Sequence, residues 1–186
     1  MVERFYDPHD GGFWESPAGD ASIQVRLKDG FDGAEIAGNS LAALDLVTLG
    51  RLLDRRDWNE KAERTLDYYA RRLAGAPMAM PQMLVAMDAA RAPIRHVVIA
   101  GPGDAPATRA FIAAFDGRFR PYDLLLLAND ATRPTLARLA PFAASLTPRD
   151  GHPAAYLCVD YACRLPTTDP AAFAAQLDDA HPRRTP

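Results

Sequence analysis

The chain has 186 residues, of which 48% are hydrophobic and 24% charged, and its formal net charge is -3. These values are typical of one or two globular domains and exclude a wholly disordered chain. The acidic balance argues against nucleic-acid binding by bulk charge, and no apolar run approaches the roughly 20 residues of a membrane-spanning helix. The first ten residues are polar and mixed, so we expect a cytoplasmic protein without a secretory signal, contacting neither nucleic acid nor membrane.

Residues 1–38 are predicted to be largely irregular, because glycines and Pro17 interrupt them repeatedly. Within this segment the residues Ile23 to Leu27 alternate between apolar and polar side chains. That period of two predicts a short, half-buried strand.

Three helices are predicted next, over about 40–55, 58–74 and 80–91. Asn39 or Ser40 is the expected N-cap of the first, whose leucines cover more than one face and so predict a buried helix. The second has an apolar face from Trp58 to Leu73, and Asp57 with Glu60 resembles a capping box at its start.

After Pro93 short apolar runs alternate with helical stretches. Strands are predicted over 96–100, 124–128 and 154–159, and helices over 108–115, about 135–140 and from Pro170 onward. Strands separated by helices favour parallel pairing through crossovers. The sequence therefore predicts a mixed α and β protein with a helical-hairpin region, 1–92, and a small α/β region, 93–186, containing a mainly parallel three-stranded sheet.

The densest group of polar side chains runs from Lys28 to Glu35 and continues into Asn39. Glycines between these residues let a backbone approach a ligand closely. Asp32 and Glu35 are candidates for acid–base catalysis or for binding sugar hydroxyls. The alternative is that Asp32 and Asn39 only satisfy turn and cap geometry, which Asp and Asn favour for their own backbone reasons.

Two further motifs have ordinary explanations. The segment 101–104, Gly-Pro-Gly-Asp, lies where a phosphate-binding turn would, but it lacks the full glycine pattern and is better explained as a strand-to-helix connection. Cys158 and Cys163 lack the Cys-x-x-Cys spacing of a redox pair, so we predict two reduced thiols with Cys158 buried, and a disulfide or redox exchange as the alternative. No histidine or cysteine grouping predicts a metal site, and no cofactor is expected.

Several motifs in order resemble the C-terminal region of the thioredoxin-domain-containing proteins of the spermatogenesis-associated protein 20 and bacterial YyaL type. The motifs are Gly-Gly-Phe-Trp at 11–14, Arg-Leu-Lys-Asp-Gly-Phe-Asp-Gly-Ala at 26–34, Gly-Asn-Ser-Leu-Ala-Ala-Leu at 38–44, Ala-Pro at 76–77, Pro-Gln-Met-Leu at 81–84, and Cys-Val-Asp-Tyr-Ala-Cys-Arg-Leu-Pro-Thr-Thr-Asp-Pro at 158–170. The resemblance covers nearly the whole chain.

The resemblance implies a fragment of a longer protein, in which a thioredoxin-like domain precedes an (α/α) toroid similar to six-hairpin glycosidases. The hairpins of residues 1–92 would then belong to that toroid, with the 28–40 loop facing its central cavity. The biochemical activity of the family is unestablished, and a fold does not fix a function.

Two functions follow as hypotheses. The first is binding or processing of a sugar-like ligand, with Asp32 and Glu35 as catalytic candidates and a binding set of Phe13, Trp14, Lys28, Asp32 and Asn39. The second is a non-catalytic interaction or redox-partner module serving the upstream thioredoxin-like domain. A partial toroid also predicts an exposed apolar patch and self-association.

Overall fold

The computed structural model describes residues 1–180. The chain forms two compact units, one of Met1–Ala92 and one that begins at Pro93. Each unit has its own core and is described by itself.

Four helices form the first unit, and the three predicted from the sequence are confirmed to within a few residues. They are α1 (Val2–Phe5), α2 (Gly38–Leu52), α3 (Arg56–Gly75) and α4 (Pro81–Arg91), with a 3-10 turn at Pro77–Ala79.

Helix α2 packs against α3 and α4 through a core rich in methionine. The buried side of α3 carries Ala62, Thr65, Tyr69 and Leu73, which recur at steps of three and four residues and so lie on one face. Met80 and Met83 of the following segment are fully buried against that face.

The predicted helix starts and the buried character of α2 are wrong in detail. Helix α2 begins at Gly38 with Ala37 as its N-cap, so Asn39 lies inside the first turn. Helix α3 begins at Arg56, and its N-cap is Arg55 rather than Asp57. Leucines on the outer side of α2 are exposed, because only one side of the helix meets α3 and α4.

The strand predicted over residues 23–27 is absent from the structure of this segment. Ile23, Val25 and Leu27 are all exposed. Alternation alone does not make a strand, since a strand also needs a partner to satisfy its backbone hydrogen bonds.

The second unit is a four-stranded sheet with helices on both faces. Its strands are β1 (Arg95–Ala100), β2 (Leu124–Ala128), β3 (Ala154–Val159) and β4 (Ala162–Cys163), and its helices are α5 (Pro106–Asp116), α6 (Arg133–Leu139), α7 (Pro141–Ala144) and α8 (Pro170–Ala180). One face packs on Phe111 of α5 and Phe173 of α8, and the other on Leu136 of α6 and Ala143 of α7.

The prediction of a mainly parallel three-stranded sheet is wrong, because the sheet is mixed. Its order is β2-β1-β3-β4, with β1 parallel to β2 and antiparallel to β3. The chain leaves β2 at Ala128, beside Ala100, and enters β3 at Ala154, which also pairs with Ala100. Helices α6 and α7 therefore return the chain to the same end of the sheet at which β2 finished, so β3 runs antiparallel to β1.

Strand β4 was not predicted, and it forms a hairpin with β3. Val159 pairs with Ala162 and Cys158 with Cys163. Asp160 and Tyr161, which make the turn, both have positive φ angles, 47° and 63°. A two-residue turn of this hand matches the twist of the strands that it joins.

Candidate functional site

A double glycine shapes the entry to the first unit. Gly11 and Gly12 have φ angles of 82° and 76°, in the left-handed region that glycine tolerates best. A Cβ atom on Gly11 would lie 2.5 Å from the backbone oxygen of Arg64. This bend against α3 places the following residue, Phe13, in the interior of the unit.

Asn39 joins two stretches of irregular chain to the start of α2. Its Oδ1 accepts from the Phe13 backbone N–H at 2.6 Å, and its Nδ2 donates to the carbonyl oxygens of Phe13 and Asp29, each at 2.8 Å. The Tyr69 hydroxyl donates to the same Asp29 carbonyl at 3.1 Å. Burial, with Tyr68 beside it, raises the pKa of Tyr69, so the phenol stays protonated as a donor.

Lys28 is buried and fully engaged. Its Nζ donates to Asp7 Oδ2 at 2.5 Å and to the Gly11 carbonyl at 2.8 Å. The ammonium also lies 4.5 Å and 4.2 Å from the ring centres of Trp14 and Tyr68, a cation–π arrangement. The contacts of Lys28 thus lie inside the protein.

Asp32 bridges the segment before α2 to the start of α4. Its Oδ1 accepts from Ala37 N at 3.0 Å, and its Oδ2 accepts from Gln82 N, in the first turn of α4, at 2.8 Å. A carboxylate at the start of a helix accepts from an otherwise unpaired backbone amide, and its negative charge interacts favourably with the positive end of the helix dipole. Both oxygens of Asp32 therefore have structural partners.

A cavity of about 450 Å³ opens beside these hydrogen-bonded residues. Aromatic side chains and carboxylates from α1 and from the irregular chain line it, together with the first turn of α2. They include Phe5, Phe13, Trp14, Glu15, Asp29, Phe31, Glu35 and Asn39.

The turn at Asp29 positions one wall of this cavity. Asp29 Oδ1 accepts from the backbone N–H groups of Gly30 and Phe31, at 2.7 and 3.0 Å. A Cβ on Gly30 would lie 2.6 Å from the Tyr69 ring, so glycine is required for this close approach. The Phe31 side chain that follows is 54% exposed.

The cavity brings together four of the predicted site residues, namely Phe13, Trp14, Glu35 and Asn39. The other two, Lys28 and Asp32, are not among the lining residues, and their side chains make the structural hydrogen bonds described above.

Sequence reasoning missed Phe31, Asp29 and Glu15 as lining residues. A large apolar side chain such as Phe31, set among glycines and acids, was the available indication. Across residues 1–180, no three His, Cys, Asp or Glu side chains are grouped as a metal site requires. No helix in that range is long and apolar enough to cross a membrane.

The second unit holds a cleft of about 370 Å³ at the carboxyl ends of β1 and β2. The predicted Gly101–Gly103 turn lines one side, and Asn129 lines the other. Asn129 Oδ1 accepts from the backbone N–H groups of Ala131 and Thr132. The glycine turn joins β1 to α5, as a strand-to-helix connection does.

The two cysteines correct the sequence prediction of separate thiols, because Cys158 and Cys163 form a disulfide. The tight turn at Asp160 and Tyr161 sets them directly opposite each other on β3 and β4. Arg164 N donates to the Leu157 carbonyl one pair further along, which is the ladder expected beside a non-hydrogen-bonded cysteine pair. Cys158 is buried, as predicted.

Mammalian proteins resemble this chain over most of its length. Spermatogenesis-associated protein 20 of Homo sapiens is 32% identical over 176 residues, which are 90% of this chain and 22% of the human protein. The proteins of the same name from Rattus norvegicus and Mus musculus are 32% identical over 167 residues, 89% of this chain and 21% of each.

The chain thus spans about a fifth of the length of these relatives. No family model matches the chain, and no solved structure does. The similarity runs through both units, because it covers nine-tenths of the chain. The chain belongs to the spermatogenesis-associated protein 20 family.

Proposed function

We propose that the first unit binds a small, neutral polyhydroxyl ligand, of the sugar class, in the cavity beside α2. The observation that carries this proposal is the joining of an exposed aromatic ring, Phe31, with three carboxylate side chains in one concave surface. Concave sites with apolar walls and a few polar groups are typical of small-molecule binding.

Phe31 is the side chain proposed to stack on the ligand. Its ring is half exposed at the cavity, whereas Phe13 is only 5% exposed. Trp14 is less suited, because the Arg26 guanidinium and the Lys28 ammonium lie 4.7 and 4.5 Å from its ring centre. A sugar ring has an apolar C–H face that would cover Phe31 and remove it from water.

The charges of the cavity favour a neutral ligand. Glu15, Asp29 and Glu35 contribute carboxylates, and no Lys, Arg or His is among the described residues that line the cavity. Carboxylates accept hydrogen bonds from hydroxyl groups and repel phosphate. Glu35 stays a candidate for acid–base catalysis. Asp32 is not free to act as its catalytic partner, because both oxygens of Asp32 accept hydrogen bonds from backbone amides. This supports ligand binding by the cavity more than a reaction that needs Asp32 and Glu35 as a pair.

In the longer protein, we propose that α2, α3 and α4 form part of an (α/α) toroid and that a thioredoxin-like domain precedes them. This extension rests on the motif resemblance. The exposed apolar side chains of α2, Leu41 and Leu49, support the idea that further helices or a second copy of the chain cover that side.

Titration of neutral mono- and disaccharides against the chain, by calorimetry and tryptophan fluorescence, tests the binding proposal. We expect saturable binding of at least one neutral sugar and weaker binding of its phosphate ester. Phe31→Ala should weaken binding about tenfold, equivalent to about 1.4 kcal/mol. Phe119→Ala, which removes a 92% exposed ring from the second unit, is the matched control and should change nothing.

The proposal fails if no neutral sugar binds saturably. It also fails if Phe31→Ala and Phe119→Ala bind equally well, since the aromatic wall would then contribute nothing. Preferential binding of the phosphate ester would contradict the charge argument and place the ligand elsewhere.

A second candidate function, a redox-partner module, is favoured by a different observation. The disulfide Cys158–Cys163 lies at the tip of a hairpin in which both residues of β4 are exposed. A disulfide within reach of another protein is a substrate for thiol exchange.

A further inference from the structure

The two sulfur atoms of the hairpin disulfide belong to residues in very different surroundings. Cys158 is 1% exposed and packs in the core on one face of the sheet, whereas Cys163 is exposed. An attacking thiolate must approach one sulfur directly, and access decides which one. The disulfide is therefore asymmetric toward an outside reagent.

The buried side of the disulfide is closed by neighbouring rings. His96 is fully buried and lies directly opposite Cys158 in the pairing of β1 with β3. Its ring centre is 5.1 Å from that of Phe142 and 5.6 Å from that of Tyr161. His96 and Phe142 pack on the Cys158 side and leave Cys163 as the approachable end.

The outer side carries features that suit a protein reagent. Tyr161 and Leu165 flank the cysteine and are 44% and 84% exposed. An accessible disulfide bordered by exposed apolar side chains fits a dithiol protein whose reactive sulfur has an apolar surround.

We propose that Cys158–Cys163 is a thiol–disulfide exchange site for a dithiol protein, which attacks Sγ of Cys163 and docks on Tyr161 and Leu165. This inference rests on the second candidate function above and names its reactive atom and its partner class. It does not depend on the ligand cavity of the first unit.

The exchange balances in two steps. A thiolate of the partner bonds to Cys163 Sγ while the Cys158–Cys163 bond breaks, and the electron pair leaves on Cys158 Sγ, which takes a proton from water. The second thiol of the dithiol protein, once deprotonated, attacks that protein's first sulfur, which is bonded to Cys163 Sγ in the mixed disulfide. Cys163 leaves as a thiolate and takes the other proton. The chain gains two electrons, and the dithiol becomes a disulfide.

Reduction should loosen the hairpin tip. Strand β4 has only two residues, and its turn places Asp160 and Tyr161, neither of them glycine, in the left-handed region. Without the covalent link, a turn of this cost and a strand of this length hold the tip weakly. The redox state thus sets the order of the sheet edge that the partner contacts.

The test uses the full chain in its oxidised form and a thioredoxin whose resolving cysteine is replaced by serine, which traps the mixed disulfide. Peptide mass spectrometry locates the bond, and we expect it on Cys163. With intact thioredoxin, reduction should be at least about tenfold faster than with dithiothreitol at equal thiolate concentration.

Docking is tested separately from chemistry. Leu165→Ser should slow reduction by thioredoxin about tenfold, a change of about 1.4 kcal/mol, while the dithiothreitol rate stays unchanged. Met78→Ser, which alters an 87% exposed side chain of the first unit, is the matched control and should leave both rates unchanged. Hydrogen exchange at residues 162–164 should rise on reduction.

The outcomes separate the two ideas. A trapped bond on Cys158 overturns the assignment of Cys163 and leaves the redox-partner function standing. Attack on Cys163 with no advantage for thioredoxin, or with no effect of Leu165→Ser, overturns the partner class and that function. Two free thiols in the chain purified without reductant overturn both.

Discussion

Lys28 Nζ and Asp7 Oδ2 meet 2.5 Å apart inside the first unit, where the two side chains are only 2% and 8% exposed. The pair connects parts of the irregular chain that lie 21 residues apart in sequence. Asp7 Oδ1 also accepts from the backbone N–H of His9 at 2.8 Å. A buried pair with further hydrogen bonds of this kind is costly to break at one end only.

Replacing one member of the pair should destabilise the first unit strongly. We expect Lys28→Met or Asp7→Asn to lower the free energy of unfolding by about 3 kcal/mol, because the remaining polar group stays buried without its partner. The double variant should lose less than the sum of the two single losses. Urea unfolding followed by tryptophan fluorescence reports on this unit, since Trp14 and Trp58 both lie in it.

Arg56→Met is the control, since the Arg56–Glu60 pair is largely exposed and should contribute little. Additive losses in the double variant would show that Lys28 and Asp7 do not act as a pair.

The same pair predicts an acid limit to stability. Burial alone would raise the pKa of Asp7, but the hydrogen bond from Lys28 and those from the amides of His9 and Asp10 outweigh it and lower that pKa. Asp7 therefore stabilises the fold above the unfolded carboxyl pKa of about 3.9, and this contribution is lost as pH falls through the lower, folded pKa.

Urea unfolding at a series of pH values from about 6 to about 2 measures this loss. Asp7→Asn should show a flatter dependence of the free energy of unfolding on pH than the parent chain. Parallel curves for the two proteins would contradict the assignment.

Gly11 and Gly19 offer a matched pair for backbone strain. Their φ angles are 82° and 81°, but an added Cβ would meet the backbone of Arg64 only at Gly11, and it would find open space at Gly19. Gly19→Ala should cost about 1 kcal/mol from the left-handed backbone alone. Gly11→Ala should cost about 1–3 kcal/mol more, because the clash is with backbone that cannot rotate away. Equal losses in urea unfolding would disprove the close packing of Gly11 on α3.

Replacing Asp32 and replacing Glu35 should affect different properties, stability for Asp32 and ligand binding for Glu35. Asp32→Ala removes the acceptor for two backbone amides and should lower the free energy of unfolding by about 1–2 kcal/mol. Glu35→Ala removes an exposed carboxylate at the cavity and should leave stability unchanged while it weakens ligand binding. The reverse pattern, with a stable Asp32→Ala chain that has lost binding, would return Asp32 to the ligand site.

Helices and strands were predicted correctly where a segment with an apolar pattern also packs on or pairs with a neighbouring element. The apolar face from Trp58 to Leu73 predicted α3, and the apolar run at Leu124–Ala128 predicted β2. The alternating residues 23–27 failed because no neighbouring strand pairs with them. The direction of β3 depends on how two short helices return the chain to Ala100, which no local pattern contains.

The candidate site was predictable as a region and less so in its roles. Asn39 and Lys28 were selected from the sequence, but their partners Phe13 and Asp7 lie 26 and 21 residues earlier. Such distant pairing is a property of the fold rather than of local spacing. The disulfide, which the sequence analysis gave only as the alternative, has a local cause: it depends on left-handed φ angles at Asp160 and Tyr161, which have no glycine to indicate them.

The mixed sheet also sets an order of assembly for the second unit. The β3–β4 hairpin closes between residues five positions apart, whereas β1 and β3 join parts of the chain about 60 residues apart. Local contacts form before distant ones because less chain entropy is lost in closing them. On a growing polypeptide, β1 can pair with β2, which is made about 30 residues after it, whereas the other edge of β1 stays without its partner strand until β3 has been made.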